Sequence, residues 1–165
     1  MSYCVGILVD EGMVLVSDSR TNAGIDRVST FQKAFVFEKR GERVFGMLCA
    51  GNLSITQSVV SILNEHLGKG DPTKDLLAAP SVFEAARIVG AAVRDVHATD
   101  GEALRQHEVE FNASFVFGGQ IKGQSLRLFQ LYAAGNFIEA TRDTPFLQIG
   151  EIKYGKPILD RIITP

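Results

Sequence analysis

The chain has 165 residues, of which 45% are hydrophobic and 22% charged, and carries a formal charge of -2. That is core material for one domain of ordinary size and excludes a disordered chain. With 17 Lys and Arg against 19 Asp and Glu and no basic run, it also argues against a nucleic-acid partner, since neutralising several phosphates takes a clustered cationic excess.

Tyr3 to Val9 reads as a strand, Asp10-Glu11-Gly12 as a tight turn, and Met13 to Ser17 as the partner strand. This opening apolar run is too short to span a membrane, and no basic segment precedes it as in a signal peptide. The expectation is a cytoplasmic protein without a membrane partner. Asp18 to Gly24 is polar and turn-rich, hence a loop. A second hairpin follows, Ala34 to Glu38 and Arg43 to Ala50, turning at Lys39-Arg40-Gly41-Glu42. After the Gly51-Asn52 break, Ser54 and Gln57 have capping-box spacing, and Ile55, Val59, Ile62, Leu63 and Leu67 recur at helical steps. The spacing predicts a helix over 53–68, ended by Gly68 to Pro72.

A second capping box, Ser81 with Glu84, opens another helix with Phe83, Ala86, Val89, Val93 and Val96 on its apolar face. Asn112 to Gln120 and Ser125 to Ala134 read as a third strand pair, with Gly118-Gly119 and Gly123 marking its hairpin turn. Tyr154-Gly155-Lys156-Pro157 leads into a last helical segment that shows no end before Pro165, so the expectation is a chain truncated at the C-terminus. Hairpins and not βαβ units make this α+β, one domain over 1–165 with largely antiparallel sheets.

Most catalytic signatures are missing. His66, His97 and His107 lack metal-ligand spacing, so no metal is expected. Cys4 and Cys49 read as small buried hydrophobes, too few for a disulfide scaffold. The glycines at 118, 119 and 123 lack the Lys-Ser/Thr of a phosphate loop.

One arrangement stands apart. Removal of Met1 would leave Ser2 with a hydroxyl nucleophile and an α-amine on one carbon, and an amine with a pKa near ~8 can serve as the base. Such chemistry needs a carboxylate, a lysine and an oxyanion donor. Asp18 ends the second strand beside the start of the first, Lys33 precedes the next strand, and Gly51 lies at a strand-to-helix turn where N–H groups point outward. Each also has a plainer reading: a small second residue, a turn aspartate paired with Arg20, a surface lysine.

Taken together, the terminal Ser2, the strand ending in Ser17-Asp18-Ser19-Arg20-Thr21-Asn22-Ala23-Gly24, Lys33 and the Ala50-Gly51-Asn52 turn resemble the proteasome β-subunit, an N-terminal nucleophile hydrolase. The opening Ser-Tyr-Cys-Val-Gly, the segment Ser29 to Glu38 and the run Ile149 to Arg161 resemble its bacterial Anbu (ancestral β-subunit) branch. The resemblance implies a four-layer αββα sandwich and a threonine/serine-type peptidase or amidohydrolase acting on peptide or protein substrate without a cofactor. It implies Ser2 as nucleophile, Asp18 as the carboxylate orienting Lys33, Lys33 as the group lowering the nucleophile's proton affinity, and Gly51 as the oxyanion donor. Arg20 would brace the Asp18 loop, and Thr21 and Asn22 would pair with the substrate backbone.

Three departures stand out. Ser2 replaces the usual Thr, Gly150-Glu151-Ile152 replaces a Gly-Ser-Gly turn, and the family's last strands would lie beyond Pro165. The rival reading is a catalytically weak or inactive protein that keeps the fold to build rings or open spirals. Either way a homo-oligomer is expected. The helix over 53–68 is the candidate contact, because its apolar set exceeds one ~100° stripe and Val60 would be exposed on a monomer; the alternative is a helix buried deeper than usual.

Overall fold

A computed structural model of the chain describes residues 2–22 and 28–163. The expectations for Met1, Ala23, Gly24 and Pro165 lie outside the described residues. The chain opens with β1 (Tyr3–Val9) and β2 (Gly12–Ser17), paired antiparallel from Val9↔Gly12 to Cys4↔Ser17. β3 (Arg20–Asn22) and β4 (Val28–Thr30) form a short ribbon where a loop was expected. β5 (Ala34–Lys39), β6 (Arg43–Gly51), β7 (Ala113–Ile121), β8 (Arg127–Leu131) and β9 (Phe137–Glu139) make a five-stranded sheet in that order, antiparallel throughout. β10 (Phe146–Gly150) pairs with the free edge of β1, giving a three-stranded sheet ordered β10-β1-β2.

Strand alternation gives the five-stranded sheet two buried faces. One carries Phe37, Phe45, Met47, Phe115, Phe117, Phe129 and Leu131, covered by α1 (Leu53–His66) and α2 (Val82–Gln106). The other carries Leu48, Val116 and Leu128, covered by Cys4, Leu147 and Ile149 of the three-stranded sheet. At Gly118 a Cβ would lie 2.7 Å from the Arg127 carbonyl oxygen and 2.8 Å from Met13 Sδ, so the sheets approach closely there. α3 (Gly155–Ile162) follows β10 and buries none of its residues. No helix among the described residues is long and apolar enough to cross a membrane.

Several expectations need correction. Asn52, not Ser54, caps α1: its Oδ1 accepts from the Ser54 N–H at 3.0 Å and the Ser54 hydroxyl at 2.8 Å. The helix already begins at Leu53, so Ser54 lies inside the first turn and only Asn52 has the extended backbone of a cap. α1 ends at His66, two residues short of the expected end. Val60 is 7% exposed, because α1 packs on both β6 and α2 and uses its wide apolar set within the chain. The deeper-burial alternative therefore holds for this helix, whose exposed positions are Ser54, Gln57, Ser61, Asn64 and Glu65.

Ser81 does cap α2, accepting from the Glu84 N–H at 3.1 Å, but Phe83 stays 39% exposed with its ring edge-on to Phe129 and Phe137. Gly118 and Gly119 lie within β7 and only Gly123 turns, because the glycines serve close packing. The eighth strand stops at Leu131, short of the expected Ala134, and β9 and β10 had no counterpart in the expected elements.

Candidate active site

The site is assembled by three registers. Extending the β1–β2 ladder by one residue sets Asp18 opposite Tyr3: the Asp18 N–H donates to the Tyr3 carbonyl at 3.2 Å, and the Tyr3 N–H donates to Asp18 Oδ1 at 3.0 Å. The β3–β4 ribbon then folds the chain back on itself. Arg20 faces Thr30, and the Phe31 N–H donates to the Ser19 carbonyl at 3.1 Å, so Lys33 returns to Asp18 at the base of the ribbon. Lys33 Nζ donates to Asp18 Oδ1 at 3.0 Å and Oδ2 at 2.9 Å. The lysine is 4% exposed, and an ammonium that deep is tolerated only against a counter-charge with its donors used. Its carbonyl accepts from the Cys49 N–H at 2.9 Å, which ties it to β6.

Ser2 continues the β1–β10 ladder: its carbonyl accepts from the Glu151 N–H at 2.7 Å, one step beyond Tyr3↔Gly150. Gly150 has φ +85, and a Cβ there would collide with the Ser2 carbonyl and lie 3.4 Å from Ala50 Cβ. A larger residue would push the chain's first strand off the end of β6. Gly51 closes β6 with φ +111, where a Cβ would lie 2.9 Å from the Asn112 carbonyl carbon. The backbone turns there into the N-terminus of α1, where the helix dipole favours negative charge.

Ser2, Asp18, Lys33 and the Ala50–Gly51 end of β6 thus share one corner between the two sheets. The backbone of Arg20, Thr21 and Asn22 leads away from it as β3, which among the described residues pairs only with β4. The bracing expected of the Arg20 side chain lies outside what the structure describes. Sequence reasoning missed Tyr3, Gln148 and Gly150, which hold the Ser2 end of β1. The alternation of inward Leu147 and Ile149 was the available signal for a strand there.

Two thiols lie nearby and are poor nucleophiles. Burial, then the neighbouring Cys49 and Asp18, push the Cys4 thiol up to about 12 against the pull of Lys33, and burial likewise raises Cys49. Both stay protonated at neutral pH, and both are free of disulfide. Among the described residues no three His, Cys, Asp or Glu side chains converge as metal ligands. His97 instead stands edge-on to Phe111 at 4.7 Å.

A helix pair on one of two stacked antiparallel sheets, with the first strand of the chain inside the stack, defines a proteasome-like protein. The chain matches no protein-family model and no curated protein. Among solved structures it is similar to a mutant of Anbu from Hyphomicrobium sp. strain MC1, with 51% identity and a TM-score of 0.88 over 99% of this chain and 67% of that one. It is also similar to Anbu (ancestral beta-subunit) from Yersinia bercovieri, at 47% identity and a TM-score of 0.87, and to the helical assembly of the Anbu complex from Pseudomonas aeruginosa, at 47% and 0.89. Each of these two is matched over 98% of this chain and 66% of its own length, so the chain spans about two thirds of its relatives. The chain belongs to the Anbu family, the ancestral β-subunit branch of proteasome-like proteins.

Proposed function

We propose that this protein is an N-terminal nucleophile peptidase or amidohydrolase of the threonine/serine type, acting from Ser2 once Met1 is removed. The observation that carries the reading is the buried Lys33–Asp18 pair, whose carboxylate also holds the amide of Tyr3, the residue directly after Ser2. In the reaction, Ser2 Oγ attacks a peptide carbonyl carbon and its proton passes to the Ser2 α-amine. The Lys33 ammonium, oriented by Asp18, eases that removal, and the Gly51 N–H holds the oxyanion. The C–N bond then breaks, with the proton delivered to the leaving amine, and an ester remains on Ser2. Water, deprotonated by the α-amine, hydrolyses the ester and restores the hydroxyl.

The substrate backbone adds as a strand to the outer edge of β3, at Thr21 and Asn22. Arg20 braces the loop. No cofactor takes part. For the whole protein we infer a four-layer αββα sandwich; Val14 and Val16, 47% and 52% exposed on the outer face of the three-stranded sheet, support a further covering layer. Assembly into a cytoplasmic ring or open spiral follows by analogy with the helical assembly of the Pseudomonas aeruginosa relative.

The test is intact-mass analysis after exposure to a peptide β-lactone. A Met1-free chain that gains one acyl group, with no gain in Ser2→Ala at unchanged thermal stability, is expected. Retained Met1, or equal acylation of the Ala variant, would sink the assignment and leave a self-assembling structural protein.

A further inference from the structure

The first residue of a terminal strand ordinarily frays, because nothing precedes it to hold it in the sheet. A nucleophile placed there needs an anchor. Tyr3 supplies more contacts than a strand residue requires. Its backbone exchanges two hydrogen bonds with Asp18, and its hydroxyl donates to Gln148 Oε1 at 2.7 Å across the three-stranded sheet. Gln148 is 8% exposed, so the amide would be left without that partner if the hydroxyl were lost. The phenol also lies directly under the start of α3: a Cβ on Gly155 would collide with the Tyr3 oxygen and lie 2.5 Å from Cζ. Val5 and Ile7, which follow on the same outer face of β1, have no such polar tie and fill it with aliphatic groups alone. Covering the sheet needs no hydroxyl. The hydroxyl serves location instead.

We propose that Tyr3 is a positioning residue for Ser2: its phenol, locked between Gln148 and Gly155, lets β10 and α3 set where the Ser2 hydroxyl stands against the Lys33–Asp18 pair. The mechanism is steric and local. Without the two contacts of the phenol the Tyr3 backbone is free to shift, and with it the Asp18 Oδ1 contact and the Ser2 carbonyl bond to Glu151. A misplacement of about 1 Å at a reacting group costs roughly 10²-fold in rate. The inference rests on Ser2 being the nucleophile, as proposed above, but the positioning itself can be read without activity.

The test uses the full chain and a peptide β-lactone as probe, with saturating acylation rate and half-saturating concentration measured separately. Amide hydrogen exchange at Glu151, whose N–H bonds the Ser2 carbonyl, reports position independently of chemistry. Tyr3→Phe should lower the saturating rate about tenfold and Tyr3→Ala about a hundredfold at unchanged half-saturation, with faster Glu151 exchange in both. Gly155→Ala should slow acylation in the native background and add nothing to Tyr3→Ala, because the two changes break one contact. Unchanged Glu151 exchange in Tyr3→Ala, or additive effects of Gly155→Ala, would overturn the positioning role. Faster exchange in the variants of a chain that the lactone never acylates would uphold the positioning and overturn the nucleophile.

Discussion

Under α1 and α2 the five-stranded sheet presents Phe37, Phe45, Phe115, Phe117 and Phe129; toward the three-stranded sheet it presents Gly46, Leu48, Val116, Gly118 and Leu128, with no phenylalanine among them. The aromatic side buries large apolar area, the main source of stability in a domain of this size. The thin side buries less and allows close approach, which brings β6 against β1 and β2. Stability and site are therefore built on opposite faces of one sheet, and substitutions should separate them.

The sharpest break in that comparison is Lys33→Ala. On the proposed chemistry it should lower acylation of Ser2 by about 10²–10⁴-fold in chains that urea denaturation shows to be folded, a loss beyond what the broken pair costs in stability. A normal rate in this variant would detach the buried pair from the reaction. The mirror experiment is Phe117→Ala, which removes a fully buried ring packed 5.5 Å from Phe45. A loss of about 3–5 kcal/mol in unfolding free energy is expected. Measured by urea denaturation, a loss below about 1 kcal/mol would mean that the aromatic face is not the main core.

Gly118→Ala is a smaller probe of the thin face. The new Cβ would press on the Arg127 carbonyl and Met13, at a cost of about 1–3 kcal/mol, and would slow acylation by spreading the two sheets. The smallest effect, taken per pH unit, is a pH slope. The Cys4 thiol has its pKa raised from 9.0 to about 12, so below pH 9 both folded and unfolded chains hold the proton and stability does not respond to it. From pH 9 toward about 12 only the unfolded chain releases it, and stability falls as pH rises, by up to about tenfold in the folding constant per pH unit. Cys4→Ala should flatten that slope in urea titrations, and an unaltered slope would mean that the thin face admits water.

Periodicity and punctuation, which act locally, were enough to read β1, β2, β5, β6, β7 and both long helices from the residues alone. So were the hairpin that sets Asp18 beside the start of β1 and the turn at Gly51. Family motifs added the branch, now borne out by relatives at 47–51% identity. What sequence could not decide were matters of partner. Whether the wide apolar set of α1 faces another subunit or its own sheet depends on how α2 crosses it, and the fold chose the interior for Val60. Asn52 became the cap because the β6–β7 pairing carries the strand through Gly51. Lys33 could have been a surface lysine until the β3–β4 ribbon returned it to Asp18. Tyr3 is far in the chain from Gln148 and Gly155, and their contact exists only once β10 has closed on β1. Local energetics choose elements; long-range pairing, whose cost in chain entropy is met only by the assembled sheets, chooses which side chains meet.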